Sequence, residues 1–243
     1  MHIYLVTGTT SGIGLELAKQ LLKTGNIVYG FARRENDIEH DNYHHILLDL
    51  SETLKLTDTM KTIIQHATNE ATSFTLINNA GTIDPIGMVG EIDSELVAKS
   101  IAVNLTAPMI LTGAFINALE GQTIPKKVMQ ISSGAGRKPY EGWSSYCAGK
   151  AGLDRFTEAV NVEESKKQYG ARIVSIAPGI IDTNMQGKIR QSTESEFPLV
   201  DRFKEYKSAG DLSSPSEVAE KLIKLMESDQ FYKVEVISDL RNL

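Results

Sequence analysis

A single cysteine, Cys147, stands among 243 residues, so no intramolecular disulfide can form and a reducing cytoplasm is the expected compartment. No apolar run approaches the roughly 20 residues of a membrane span. The opening MHIYLVTGTT has neither a basic n-region nor a small-residue cleavage site, so no signal peptide and no membrane association are expected. Basic residues are outnumbered too. Twenty-five Lys and Arg against 31 Asp and Glu leave a net charge of −6, which argues against nucleic acid as a partner. What remains is an ordinary globular composition, 41% hydrophobic and 23% charged, in a length that suits one α/β domain over residues 1–243.

Short β-branched or apolar runs alternate with helical stretches. HIYLV, NIVYGFA, HHILLDL, FTLINNAG, KKVMQISS, ARIVSIAPG and YKVEVISD read as seven strands. Between them lie amphipathic helices from about Gly14, from Ser94 to Leu119, from Ser145 to Tyr169, and at SPSEVAEKLIKLMES, where Ser214 or Ser216 is the cap and Pro215 sits near the first turn. Such alternation implies βαβ units, hence a doubly wound parallel sheet of about seven strands with helices on both faces. One segment, about 183–213, is too long for a simple connection and is expected to form a substrate lid.

TGTTSGIG falls at the first strand-to-helix junction. Gly8 and Gly12 let the backbone approach a ligand, Gly14 permits close helix packing, and the helix N-terminus offers free N–H groups to a pyrophosphate. Thr10, Ser11 and Ile13 complete the loop, so a Rossmann-type dinucleotide site is expected. The second strand ends FARRE. Dinucleotide folds that use NAD place an acid there, whereas Arg33 and Arg34 suit a 2′-phosphate, so the expected cofactor is NADP(H). Asp49 and Leu50 end the third strand beside the expected adenine, and Asn79, Ala80 and Gly81 end the fourth with side chains small enough for a ribose to approach.

Tyr146 and Lys150 lie four apart on one helix face. An ammonium about 4 Å from a phenol, at an effective dielectric near 20, favours the phenolate by roughly 4 kcal/mol, or about three pKa units. Burial opposes that shift. Ser133, on the loop after the fifth strand, can hold a substrate carbonyl against the tyrosine.

TGTTSGIG, NNAG, Asn104 in VNL, ISS, YCAGK and APG, in this order, resemble the short-chain dehydrogenase/reductase family over nearly the whole chain. The resemblance implies that Tyr146 is the catalytic acid and base, that Lys150 lowers its pKa and binds the nicotinamide ribose, and that Ser133 orients the substrate. It further implies that Asn104 supports a water relay, and that Pro178, Gly179, Ile181 and Thr183 flank the nicotinamide. A narrower likeness, in LINNAGTIDPIG, ISSGAGRKPYEGWSSYCAGKAG and APGIIDTNMQGKIR, is to the bacterial benzil reductases, themselves similar to sepiapterin reductases. This implies NADPH-dependent reduction of one ketone of a small α-dicarbonyl such as benzil, with sepiapterin as a further substrate. Trp143 and Met185 are then candidates for the pocket wall, and Asp239 for an acid that meets substrate.

The same resemblance implies a homodimer or homotetramer through the helices that carry Ile101, Leu105, Phe156 and Val160. The competing class is a dinucleotide-binding sensor without turnover, which has no need of Ser133, Tyr146 and Lys150 together. No metal is expected: His40, His44 and His45 cluster at the third strand but lack a cysteine or fourth ligand nearby. Cys147, one residue after Tyr146, points about 100° away around the helix and is read as a bystander.

Overall fold

The computed structural model describes residues 1–68 and 71–243. Seven parallel strands form one sheet: β1 (His2–Thr7), β2 (Ile27–Ala32), β3 (Tyr43–Leu47), β4 (Ser73–Asn78), β5 (Lys126–Ile131), β6 (Arg172–Ala177) and β7 (Ile237–Asp239). Their order is β3-β2-β1-β4-β5-β6-β7. The chain therefore leaves β1 in one direction and returns to its other side at β4. That reversal opens a crevice at the carboxyl ends of β1 and β4, the place where doubly wound sheets bind ligands.

Alternation along each strand divides the core. Ile3 and Leu5 face a layer with Phe74, Leu76, Leu111 and Phe115. Tyr4 and Val6 face the other layer with Leu17, Leu21, Val174, Leu222 and Phe231. Among the described residues, eight α-helices supply these layers and the site: α1 (Gly12–Lys23), α2 (Leu56–Ala67), α3 (Ser94–Ile101), α4 (Ala107–Ala118), α5 (Ser144–Glu164), α6 (Asn184–Gln191), α7 (Val200–Ser208) and α8 (Pro215–Glu227). Helix α1 ends at Thr24, and Gly25 takes φ +76°, the left-handed stop that glycine permits. Ser214 caps α8 in a reciprocal box with Glu217, and this chooses between the two serines expected from sequence.

Three elements differ from expectation. The single helix expected from Ser94 to Leu119 is broken: a π-helical turn at Ala102–Thr106 separates α3 from α4. Pro108 supplies the cause, because it has no N–H to return to the carbonyl of Asn104, and its ring crowds that turn. Ser94–Ala118 is also, by length and composition alone, long and apolar enough to cross a membrane. Ala107, Leu111, Ala114 and Phe115 within it are buried in the core layer against the sheet. The last strand is shorter than YKVEVISD. Phe231 is buried in a 3₁₀ turn, and Arg172 takes the carbonyls of Phe231 and Val234, which diverts that stretch from the sheet.

The segment 183–213 is not an irregular excursion. It holds α6 and α7, closed at its base by a bridge between Ile181 and Ser213. Its own small core, Phe197, Val200 and Phe203, packs on Ile83, Trp143 and Tyr146. Lys188 reaches from α6 to Asp84 on the opposite wall.

Candidate active site

The glycine loop departs from β1 with Gly8 at φ +79° and Gly12 at φ +57°. A Cβ on Gly14 would lie 2.2 Å from the Gly8 carbonyl oxygen, so the first turn of α1 can seat only without a side chain there. Ser11 caps α1 without a side-chain bond, which leaves the first-turn N–H groups facing the crevice. Across from them stands Thr183, whose methyl lies 3.3 Å from the position of a Cβ on Gly12. The cleft between has a volume of about 580 Å³, with Thr10, Ser11, Gly12, Asp182, Thr183 and Asn184 in its lining. Backbone donors, missing Cβ atoms and a helix N-terminus are what a pyrophosphate requires, and the residues present fit a dinucleotide.

The other expected cofactor residues lie outside the lining of this cleft. Asn79 donates through Nδ2 to the Thr7 carbonyl at 2.9 Å, and Thr7 Oγ1 accepts from the N–H groups of Asn79 and Ala80, each at 2.9 Å. Asn79 thereby clamps the ends of β1 and β4 together. Arg33 and Arg34 stand exposed at the end of β2. Burial works to raise Asp49, but hydrogen bonds from the N–H and hydroxyl of Ser51 outweigh it, and Arg33 and Lys99 add to them, so the carboxyl is held below its usual range. Leu50 is buried in the core. Gly179 takes φ +93° after Pro178, and Ile181 makes the bridge to Ser213.

Helix α5 buries one face with Tyr146, Lys150 and Asp154 in succession. Burial pushes the Tyr146 phenol up to about 12, while an interaction with the Ser133 hydroxyl works the other way. Burial pulls the Lys150 ammonium down to about 8, against the charge of Asp154. Lys150 Nζ donates to the Ile131 carbonyl at 2.7 Å and sits 5.8 Å from the centre of the Tyr146 ring. The expectation that the ammonium lowers the phenol therefore does not describe the free protein. Burial of the phenol sets the direction instead.

Ser133 Oγ accepts from the Ala135 N–H at 3.2 Å and so faces the loop that leads to α5. Ser132 is buried, and its hydroxyl has no partner among the described residues. Asn104 lies in the π turn. Its side-chain oxygen accepts from Thr82 N at 3.0 Å, and its amide donates to the Thr82 carbonyl at 2.8 Å and to Ser100 at 3.2 Å. A Cβ on Gly81 would lie 3.0 Å from Asn104 Oδ1 and 3.7 Å from Lys150 Nζ, so Gly81, Asn104 and Lys150 meet at one point.

Trp143 is buried, stacked on Phe197 at 4.4 Å and edge-on to Tyr146 at 6.0 Å, with Met185 packed on the same cluster. It forms the floor of the cap rather than part of the cleft lining. Asp239 is held by Arg241 through two hydrogen bonds of 2.8 and 2.6 Å, which keep its carboxylate below the usual range. Cys147 Sγ lies 3.9 Å from the Lys138 carbonyl and packs on the cluster that holds Trp143 and Tyr146. The histidines serve the strand edge, with His44 stacked on Tyr29 and His45 hydrogen-bonded to Tyr43. Among the described residues no group of three His, Cys, Asp or Glu is arranged to hold a metal.

Sequence reasoning missed Asp154. It accepts from Ser175 Oγ at 2.6 Å and from Arg137 Nε at 3.4 Å, and it is the charged group nearest below Lys150 on α5. Its position four residues after Lys150 was the available signal.

A family profile described as short chain dehydrogenase matches residues 2–194. The chain belongs to this family. It is accordingly an oxidoreductase acting on the C=O/CH–OH pair, and the family binds a nicotinamide dinucleotide. Benzil reductase ((S)-benzoin forming) of Bacillus cereus is 40% identical over 98% of both chains. Sepiapterin reductase of Meriones unguiculatus is 29% identical, over 94% of this chain and 92% of the relative. Among solved structures, a short chain dehydrogenase/reductase from Saccharomyces cerevisiae superposes with a TM-score of 0.82 at 25% identity, covering 99% of this chain and 96% of the other.

Proposed function

We propose that the protein is an NADPH-dependent carbonyl reductase that reduces one ketone of a small α-dicarbonyl such as benzil, giving the hydroxyketone, and that also accepts sepiapterin. The observation that carries this reading is the meeting of Ser133, Tyr146 and Lys150, with the Tyr146 phenol against the Ser133 hydroxyl and the Lys150 ammonium 5.8 Å from the Tyr146 ring, joined to 40% identity with a benzil reductase. Bound in the glycine-loop cleft, NADPH supplies the hydride. Gly8, Thr10, Ser11, Gly12, Ile13 and Gly14 hold its pyrophosphate, and Arg33 and Arg34 read its 2′-phosphate. Asp49, Leu50, Asn79, Ala80 and Gly81 receive the adenosine and ribose, and Pro178, Gly179, Ile181 and Thr183 border the nicotinamide end.

Ser133 holds the ketone oxygen, and Tyr146 gives it a proton as the carbon becomes a carbinol. The balance is one diketone, one NADPH and one proton consumed, with one hydroxyketone and one NADP⁺ formed. A phenol kept protonated by burial suits donation and disfavours the reverse oxidation, which needs a phenolate at the start. Lys150 contributes positive charge where the oxygen becomes negative, and Asn104 fixes the Gly81–Thr82 loop beside it. The cap of α6 and α7 acts as the lid, with Trp143 and Met185 shaping its underside. A homodimer or homotetramer in the cytoplasm completes the reading. Of the apolar residues on α3 and α5, Val160 is buried in the core, whereas Leu96 and Val162 are exposed.

NADPH oxidation with benzil, with benzoin identified as product, tests the assignment. No turnover across a panel of diketones and pterins contradicts it. The pH profile of the same assay carries a second expectation. Lys150 is an ammonium below about 8 and neutral above it, while Tyr146 stays protonated to about 12. kcat/KM for reduction is therefore expected to be level through neutrality and to fall as pH rises through about 8. A profile that climbs across that range contradicts the role given to the ammonium.

A further inference from the structure

The β2–β3 connection, residues 33–42, carries Arg33 and Arg34 but contains no helix. An irregular loop of this length is costly to order, so whatever fixes it determines how well its arginines are placed. The fixing groups come from β3. Tyr43 and His45 are two apart on this edge strand and project on the same side.

The Tyr43 hydroxyl lies 2.7 Å from Asn36 Nδ2, 3.0 Å from Thr9 Oγ1 and 3.0 Å from His45 Nδ1. His45 Nε2 lies 3.1 Å from the Arg34 carbonyl, and Asn36 Nδ2 also donates to the Thr9 carbonyl at 3.3 Å. A carbonyl can only accept, so His45 Nε2 carries a hydrogen and donates it to Arg34, with Glu35 Oε2 3.6 Å from the same nitrogen. The phenol oxygen accepts from Asn36.

The seat for this hydroxyl is Gly30, on the middle strand of the trio. A Cβ there would lie 2.3 Å from Tyr43 Oη and 2.7 Å from Thr9 Oγ1. Gly30 has an ordinary strand conformation, so its lack of a side chain serves space and not backbone freedom. Thr9 belongs to the glycine loop and is fully buried. One hydroxyl thus ties the glycine loop, the arginine loop and the edge strand into a single body.

We propose that Tyr43, seated over Gly30 and braced by His45, is a positioning residue for cofactor choice: it preorganises the loop bearing Arg33 and Arg34 toward a 2′-phosphate. The proposal rests on the NADPH reading above. In it Tyr43 touches no part of the cofactor and acts through Asn36 and the Arg34 backbone.

Calorimetric titration of the intact protein with NADP⁺, NAD⁺ and adenosine 2′,5′-bisphosphate tests it without turnover. Tyr43→Phe is expected to weaken NADP⁺ and the bisphosphate about tenfold, with NAD⁺ changed less than about twofold. His45→Ala, on the edge strand, should show the same selective loss and serves if Tyr43→Phe does not fold. Because both weaken one strut, the double variant should be no weaker than the worse single variant. Unchanged NADP⁺ affinity in a folded variant, or equal losses for NADP⁺ and NAD⁺, overturns the proposal while leaving the cofactor reading intact. A wild-type protein with no preference for NADP⁺ overturns both.

Discussion

Tyr146→Phe is expected to lower kcat/KM for diketone reduction about a thousandfold, the range of a positioned general acid. The substitution removes one oxygen and keeps the ring, so the edge contact with Trp143 at 6.0 Å and the packing of the cap remain. Ser133 and Lys150 also stay in place, which isolates proton donation from architecture. NADP⁺ affinity should therefore hold while turnover collapses. Equal turnover by the variant and the wild type would mean that the proton comes from elsewhere, and the role given to Tyr146 would be lost even if the reductase assignment stood.

The second large effect concerns the cofactor. Replacing Arg33 and Arg34 together by Ala is expected to weaken NADPH about a hundredfold more than NADH. Two charge-assisted contacts to one phosphate account for that size once solvent exposure is allowed for. Since both guanidinium groups are exposed, raising the salt concentration should narrow the wild-type preference as well. Equal losses for the two dinucleotides would show that the arginines serve some other purpose. The contrast with Tyr43→Phe is informative: the arginines carry the charge, and Tyr43 supplies only their placement, so its effect should be the smaller and should depend on their presence.

How far the sequence foretold this structure varies with the range of the interaction. The glycine loop, the seven strands and the Ser214 cap are local patterns, and local patterns are legible. The break at Ala102–Thr106 was legible in principle, since Pro108 sits four residues after Asn104, but a strongly apolar helix obscured it. The cap was not. Phe197, Val200 and Phe203 look like scattered apolar residues until Trp143 and Tyr146 arrive from a distant part of the chain to cover them. The short β7 depends on Arg172, far upstream, taking the carbonyls of Phe231 and Val234.

The electrostatics of the site show the same division. The Tyr146–Lys150 spacing was visible, and a Coulomb argument from it gave a lowered phenol. The burial of the phenol is a tertiary fact, and it raises Tyr146 in the free protein. Asp154 and Ser175, 21 positions apart, and the Tyr43 cluster likewise needed the fold to bring them together.

The most direct test of the central claim follows the hydride. With NADPH deuterated at its transferable position and benzil as acceptor, mass spectrometry of the product should find benzoin carrying one deuterium on its carbinol carbon. Solvent should supply the hydroxyl hydrogen through Tyr146, so Tyr146→Phe should form the labelled product far more slowly and not lose the label. Benzoin without deuterium, or no benzoin while NADPH is consumed, would contradict the account.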